Sequence, residues 1–256
     1  MPLNPDLLSP EVFLFLLTVA AAAGFIDAIA GGGGLLVLPI LLWAGLTPAQ
    51  ALATNKLQAV FGSFSATVRF IRQGTIDLHL MFRAIIFAFA GSACGTICIQ
   101  LIDSAALEKL IPILLISFTI YFLFSPRVGD EDVKPRISLN LFSFTIAFII
   151  GFYDGFFGPG TGSFFAMAFV MLLGYNLIKA TAHAKLLNFT SNLAALIFFI
   201  LGGQVVWKVG LIMAIGQFIG GYMGAHMVLR HGTVLIRPLL AMISLSITLK
   251  LLLFND

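Results

Sequence analysis

Ten apolar segments, separated by short polar connections, follow one another along almost the whole chain. A bilayer core ~30 Å thick is crossed by a helix of ~20 apolar residues. The second and seventh segments are too short to cross unaided, whereas the others approach or exceed this length. The pattern therefore predicts an all-α integral membrane protein. The segments cover approximately residues 12–30, 35–45, 49–72, 80–102, 107–125, 138–157, 162–174, 177–202, 206–230 and 234–253.

The composition agrees with a chain whose main partner is the lipid bilayer. Of its 256 residues 60% are hydrophobic and 10% charged, against about 25% charged in soluble domains. The start, "MPLNPDLLSPE", lacks a basic region, so we expect the first span to be retained rather than cleaved. The net charge of +3 is small and scattered, which excludes a nucleic-acid partner. Cys94 and Cys98 do not have metal-ligand spacing, and no cofactor is predicted.

The chain contains a duplicated unit. Residues 24–34 read "GFIDAIAGGGG", and 127 positions later residues 151–162 read "GFYDGFFGPGTG". Further along, an offset of 129 aligns "ALATNKLQ" with "ATAHAKLL", so that Lys56 matches Lys185. We predict a first transmembrane repeat over residues 1–125, a polar cytoplasmic linker over 126–137 and a second repeat over 138–256. Each repeat has about five helical elements, with short or broken helices after the glycine-rich loops.

Five elements are an odd number, so the second repeat is expected to cross the membrane upside down. Positive residues mark cytoplasmic connections. In the first repeat Arg69 and Arg72 lie at the junction of the third and fourth elements, and in the second Arg230 and Arg237 lie at the junction of the last two. The arginines thus lie at different junctions in the two repeats, as expected if the second repeat has the opposite orientation in the membrane. It also predicts a cytoplasmic linker and two external termini.

Ionisable residues within apolar segments are costly and mark functional sites. Lys56 and Lys185 each approach the middle of their segments, and inverted repeats would bring them together near a pseudo-twofold axis. Asp27, Asp154 and His183 are the candidates for proton coupling. The alternative interpretation pairs Lys56 with Asp27 and Lys185 with Asp154, as buried ion pairs that merely stabilise the fold.

The glycine tracts each precede an element too short to span. Glycine permits positive φ angles and close backbone approach, and the start of the following short helix offers free N–H groups to an anion. Half-helices of this kind form the binding sites of inverted-repeat transporters. The alternative role is tight helix packing, which we expect instead for Gly91, Gly95, Gly216, Gly220 and Gly224. The predicted substrate-binding residues are Gly31, Gly32, Gly33, Gly34, Asn55, Lys56, Gly158, Gly160, Thr161, Gly162, Lys185, Asn188 and Asn192.

Four blocks resemble the sulfite exporter TauE/SafE family, and in particular its YfcA-like branch. They read "GFIDAIAGGGGLLVLP", "ALATNKLQAVFGSFSAT", "GFYDGFFGPGTGSF" and "ATAHAKLLNFTSN". The resemblance runs over nearly the whole chain. It implies a multi-helix inner-membrane protein with a duplicated core, associated with export or uptake of sulfite, sulfonates and related sulfur compounds. Many members of the family have no assigned substrate.

The expected function is secondary transport, as an exporter of a small anion such as sulfite or an organosulfonate, with coupling to protons. A passive anion channel is the main alternative. An intramembrane aspartyl protease is a weaker one, because the Gly-Asp pair of its motif occurs here only in the polar linker, at Gly129 and Asp130. No GxxxxGK[ST] sequence occurs, so the chain does not itself hydrolyse ATP, and no enzymatic activity is predicted. The substrate and the oligomeric state stay open, and a homo-oligomer is compatible with the sequence.

Overall fold

The computed structural model describes residues 10–103, 106–107, 110–111, 113–114 and 131–232. These residues form helices and connections, without a strand among them. Helix α5 contains a π-helical stretch, Phe142–Ala147. The helices are α1 (Pro10–Ala30), α2 (Gly33–Trp43), α3 (Pro48–Arg72), α4 (Leu78–Gln100), α5 (Leu139–Phe156), α6 (Thr161–Leu173), α7 (Leu177–Leu201) and α8 (Trp207–His231).

The predicted all-α membrane fold is confirmed. Each helix ends within about two residues of the segment predicted for it. Five helices of the described part, α1, α4, α5, α7 and α8, are long and apolar enough to span a membrane. Helices α2 and α6, with 11 and 13 residues, reach only ~17 and ~20 Å. The predicted segment 234–253 and most of 107–125 lie outside the described residues.

Helix α3 is long enough to span but more polar than the others. Its 25 residues would extend ~37 Å. Asn55, Lys56 and Gln58 are nonetheless at most 4% exposed, because α3 lies inside the bundle against α7 and α8. Its polar residues therefore face other helices rather than lipid.

Matching caps set the heights of the two lysines. Helix α3 begins with a capping box, in which the Thr47 hydroxyl accepts from the Gln50 N–H and the Gln50 side chain accepts from the Thr47 N–H. Helix α7 begins at Asn176, whose side chain accepts from the N–H of Lys179 at 3.0 Å. Lys56 and Lys185 consequently lie at the same distance, ~12 Å, from the starts of their helices.

The two halves interlock instead of packing as separate bundles. The first helix of each half lies against the fourth helix of the other, α1 on α8 and α5 on α4. Glycines allow these close contacts, as predicted: a Cβ on Gly220 would lie 2.0 Å from the Ala21 oxygen, and one on Gly95 2.0 Å from the Phe152 oxygen. Helices α3 and α7 touch each other at the centre. The opposite membrane orientation of the two halves stays a prediction.

Candidate functional site

Two buried ion pairs join the halves at the centre of the bundle. The Nζ of Lys56 lies 2.8 Å from Oδ1 of Asp154, and the Nζ of Lys185 lies 2.8 Å from Oδ2 of Asp27. Both lysines are 1% exposed. The alternative of pairing within each half, Lys56 with Asp27 and Lys185 with Asp154, is therefore wrong. The positions of these residues within one repeat could not predict this pairing, because it arises from a contact between the two repeats.

The glycine loops meet directly, and this contact brings each aspartate to the lysine of the other half. At Gly31, where φ is +75°, a Cβ would lie 2.2 Å from the N atom of Ser163. The Ser163 hydroxyl donates to the carbonyl of Ala30. Asp27 is thereby held beside α6 and α7 of the second half, close to Lys185.

The glycines also make room for the ammonium groups. A Cβ on Gly158, where φ is +103°, would lie 2.6 Å from the Nζ of Lys56. A Cβ on Gly162 would lie 2.8 Å from the Nζ of Lys185. The φ angle at Gly158 favours glycine, and a Cβ on Gly162 would also lie 2.8 Å from the Cα of Gly31, so both positions favour glycine. The tracts thus lie at the depth of the lysines, in the interior of the protein.

The two carboxylates have different surroundings. Asp154 is 1% exposed. Its Oδ1 lies 2.8 Å from the hydroxyl of Thr161, and its Oδ2 accepts from the hydroxyl of Ser191 at 2.5 Å. The side chain of Asp27 is 20% exposed. Besides Lys185, it accepts a bond of 3.2 Å from the N–H of Gly33, the first residue of α2.

A small cavity lies between the ion pairs. It offers about 20 Å³ to the centre of a water-sized sphere, enough for about one water molecule. An oxyanion is larger, so the cavity must widen before one can bind. It is lined by Asp27, Gly31, Gly34, Asn55, Lys56, Ala59, Asp154, Gly158, Gly160, Thr161, Gly162, Asn188, Asn192 and Gln217.

Most of the residues predicted from the sequence are brought together here. Among those that do not line the cavity, Gly32 and Gly33 lie at the start of α2, and Lys185 reaches it through its bond to Asp27. His183 lies elsewhere: its Nδ1 is 2.7 Å from the Lys179 carbonyl oxygen, and its ring packs against Phe169 and Tyr175.

Gln217 is the cavity residue with a long polar side chain that the sequence analysis missed. It stands in α8, between residues that are mostly apolar, and it is 3% exposed. A polar amide at this position in an apolar segment was the available signal.

Lys56 also has a partner beyond its carboxylate, because it donates to Oδ1 of Asn192 at 3.1 Å.

The donors of this site are those that bind oxyanions, namely ammonium groups and an N–H at a helix start. In this structure the chain's own carboxylates occupy them. An anion can therefore bind to these donors only if a carboxylate moves away or loses its charge. No group of three or more His, Cys, Asp or Glu side chains able to hold a metal occurs in the described ranges.

Comparison with known proteins identifies the family. The sequence model of the sulfite exporter TauE/SafE family matches residues 16–251. The chain belongs to this family. A "Probable membrane transporter protein" of Haemophilus influenzae is 50% identical over 241 residues, which cover 94% of each chain. The "Probable membrane transporter protein YfcA" of Escherichia coli K12 is 50% identical over 246 residues, covering 96% of this chain and 91% of the relative.

A more distant relative matches over most of the chain. The "Probable membrane transporter protein YunE" of Bacillus subtilis is 24% identical over 238 residues, which cover 83% of this chain and 87% of the relative. No solved structure matches the chain. Family membership confirms the resemblance seen in the sequence. The protein is a multi-pass membrane transporter and not an enzyme, so the aspartyl protease alternative is rejected.

Proposed function

We propose that this protein is a secondary transporter that exports a small anion, a sulfur oxyanion or organosulfonate such as sulfite, with coupling to protons. One observation carries the proposal: two buried lysines and a helix start, all suited to an oxyanion, are bound to the carboxylates of Asp27 and Asp154. The carboxylates stand where the oxygens of a substrate would bind.

Charge balance supports the proton coupling. Two lysines and two aspartates give the ionised site no net charge. An added monoanion would leave one uncompensated negative charge in a site with little water, which is strongly unfavourable. A proton on one carboxylate restores neutrality and releases a lysine for the anion. By linkage, the proton and the anion then raise each other's affinity by the same factor.

The size of the cavity supports alternating access rather than a permanent pore. With room for about one water molecule between the ion pairs, the cavity is too small for an oxyanion in this conformation. Binding therefore needs a change of conformation, as the transport cycle of a carrier does. The sulfur class of the substrate rests on the description of the family.

Transport assays on proteoliposomes test the proposal. Vesicles loaded with radiolabelled sulfite should release it saturably, faster under an imposed pH gradient, and should show counter-flow with external unlabelled sulfite. Lys185→Gln should abolish this flux. The matched control is Lys179→Gln, which removes a lysine of the same helix that is 37% exposed and paired with Asp132, and which should transport normally.

Two results would contradict the proposal in different ways. A flux that does not saturate and follows the membrane voltage would indicate the passive anion channel. Absence of flux for sulfite, sulfate, thiosulfate and short sulfonates alike would reject the substrate class.

A further inference from the structure

We infer that the two ion pairs have different functions. Asp27 and Lys185 form the half of the cavity that exchanges the proton and the anion, and Gln217 contacts the anion there. Asp154 and Lys56 form a fixed framework that stays ionised throughout. The anion-contacting role of Gln217 rests on the proposed function, whereas the assignment of the proton to Asp27 does not.

Both members of the framework pair, Asp154 and Lys56, have further hydrogen-bond partners besides each other. The carboxylate of Asp154 is contacted by the ammonium group of Lys56 and by the hydroxyls of Thr161 and Ser191, and Lys56 also bonds to Asn192. The ammonium group and the two hydroxyls thus give the ionised carboxylate of Asp154 three contacts, and a protonated carboxyl would lose the charge-assisted bond to Lys56. The side chain of Asp154 is also much less exposed than that of Asp27, 1% against 20%.

The carboxylate of Asp27 has fewer hydrogen-bond partners than that of Asp154, and it is more exposed to solvent. Its carboxylate has one ammonium group and one backbone N–H at 3.2 Å, and its side chain is 20% exposed. The other charged groups that line the cavity are Lys56 from α3 and Asp154 from α5, whereas α2, α6 and α8 contribute no charged lining residue in the described ranges. Protonation of Asp27 would therefore free Lys185 without breaking a larger network.

The difference between the surroundings of Asp27 and Asp154 is visible in the residues at corresponding positions of the two repeats. At the offset of 127, Thr161 corresponds to Gly34, and at the offset of 129, Ser191 corresponds to Gly62. The two hydroxyls that hold Asp154 are thus absent beside Asp27. Ala88 corresponds to Gln217. The structure supports this last correspondence, because a Cβ on Gly151 would lie 2.4 Å from the Ala88 oxygen and one on Gly24 2.6 Å from the Gln217 oxygen.

Gln217 occupies the space that a side chain at position 62 would need. A Cβ on Gly62 would lie 2.4 Å from Oε1 of Gln217, and one on Gly24 2.7 Å from the same atom. Where one half has a serine bound to its aspartate, the other half has a glycine with a glutamine beside it. The half that contains Asp154 thus has a hydroxyl bound to its carboxylate, whereas the half that contains Asp27 has an amide that is not bound to its carboxylate.

The amide of Gln217 has no hydrogen-bond partner among the described residues, although the residue is 3% exposed and lines the cavity. Asn188, one turn beyond Lys185 on α7, is 4% exposed and its side-chain amide is likewise unpaired within the described part. Both side chains line the cavity. Both amides therefore have donors available for the oxygens of an anion, next to the lysine that Asp27 releases.

Infrared difference spectroscopy tests the proton assignment without any transported substrate. Purified wild-type protein, taken from alkaline to acidic pH, should develop C=O absorption from all carboxyl groups that become protonated, the exposed ones included. Asp27→Asn should remove one component of this absorption, which is the acid band of Asp27, and Asp154→Asn should keep that component. If Asp154→Asn does not fold, Thr161→Val serves in its place and should also keep it. A difference spectrum of Asp27→Asn identical to that of the wild type overturns the assignment.

Direct binding tests the role of Gln217. Calorimetric titration of purified protein with sulfite at acidic pH should show affinity ~10–100-fold weaker for Gln217→Ala, the range for one hydrogen bond to a charged group. The control is Gln100→Ala, because Gln100 bonds to backbone oxygens of Thr96 and Phe198 away from the cavity; it should bind as wild type does. Wild-type affinity in Gln217→Ala overturns the role.

A double variant tests the inequality of the two halves. Gly62→Ser combined with Gln217→Ala introduces a serine and an alanine, the residues found at the corresponding positions 191 and 88. The acid band should then be lost while the protein stays folded, and its persistence would contradict the inference. If no sulfite, sulfate, thiosulfate or sulfonate binds to the wild type, the proposed function and the role of Gln217 fail together. The infrared result decides the assignment of Asp27 separately.

Discussion

Removing one lysine at a time should affect stability very unequally. Lys56→Met leaves Asp154 as an uncompensated charge that is 1% exposed, and breaking a buried pair on one side costs about 3–5 kcal/mol. At ~2–4 °C per kcal/mol for a chain of this order of size, the unfolding midpoint should fall by roughly 6–20 °C. Lys185→Met leaves Asp27 with a backbone N–H and 20% exposure, so we expect about 1–2 kcal/mol.

Thermal unfolding in detergent, followed by size-exclusion chromatography, measures both losses. The double variant Lys56→Met with Asp154→Asn removes the uncompensated charge and should recover a large part of the stability lost in Lys56→Met. Transport should follow the opposite order from stability, because Lys185→Met removes the anion-binding lysine from a protein that still folds. Equal destabilisation by the two single variants, or no recovery in the double variant, would refute the reasoning.

Further predictions concern topology, coupling, the loops and the linker. Cysteines introduced at Ile76 and Gln204, in a background without the native cysteines, should react with an impermeant maleimide from opposite sides; labelling from one side would end the inverted-repeat prediction. Asp27→Asn should still bind the anion but lose the pH dependence of transport, which fluxes at two pH values will show. Gly31→Ala should abolish folded protein on size-exclusion chromatography, because φ is +75° and its Cβ would overlap the facing backbone. Asp132, whose pKa is lowered first by the backbone N–H before α7 and also by a lysine of its first turn, stabilises the fold only while ionised. The difference in thermal midpoint between wild type and Asp132→Asn should therefore be full near pH 7 and shrink as the pH falls below the ordinary value of 3.8.

Helix positions and lengths followed from the sequence because they depend on local properties. An apolar run long enough for the bilayer, or too short for it, is visible in consecutive residues. The capping residues Thr47 and Asn176 act on N–H groups only three positions away. For the same reason the shortness of α2 and α6, which places their first turns in the interior, was predictable.

The chemical identity of the site also followed from the sequence. A carboxylate or an ammonium group in an apolar segment is so unfavourable that its presence alone marks a site. Asp27, Lys56, Asp154 and Lys185 were found in this way, and all four meet in the structure. His183 satisfies the same criterion, yet the structure places it among aromatic rings away from the cavity. The criterion detects burial, and it does not detect which buried groups share a space.

Which lysine pairs with which aspartate was decided only by the tertiary structure. In sequence Asp27 and Lys56 lie within the same repeat, whereas Asp27 and Lys185 are 158 residues apart. The packing of the first helix of each half against the fourth helix of the other, together with the contact of the two glycine loops, pairs each aspartate with the lysine of the other half instead of its own. The inequality of the two pairs needed both kinds of information. Gly62 and Gln217 are present in the sequence, but only their contact in space shows that an amide occupies the place of a hydroxyl beside one aspartate and is left unpaired there.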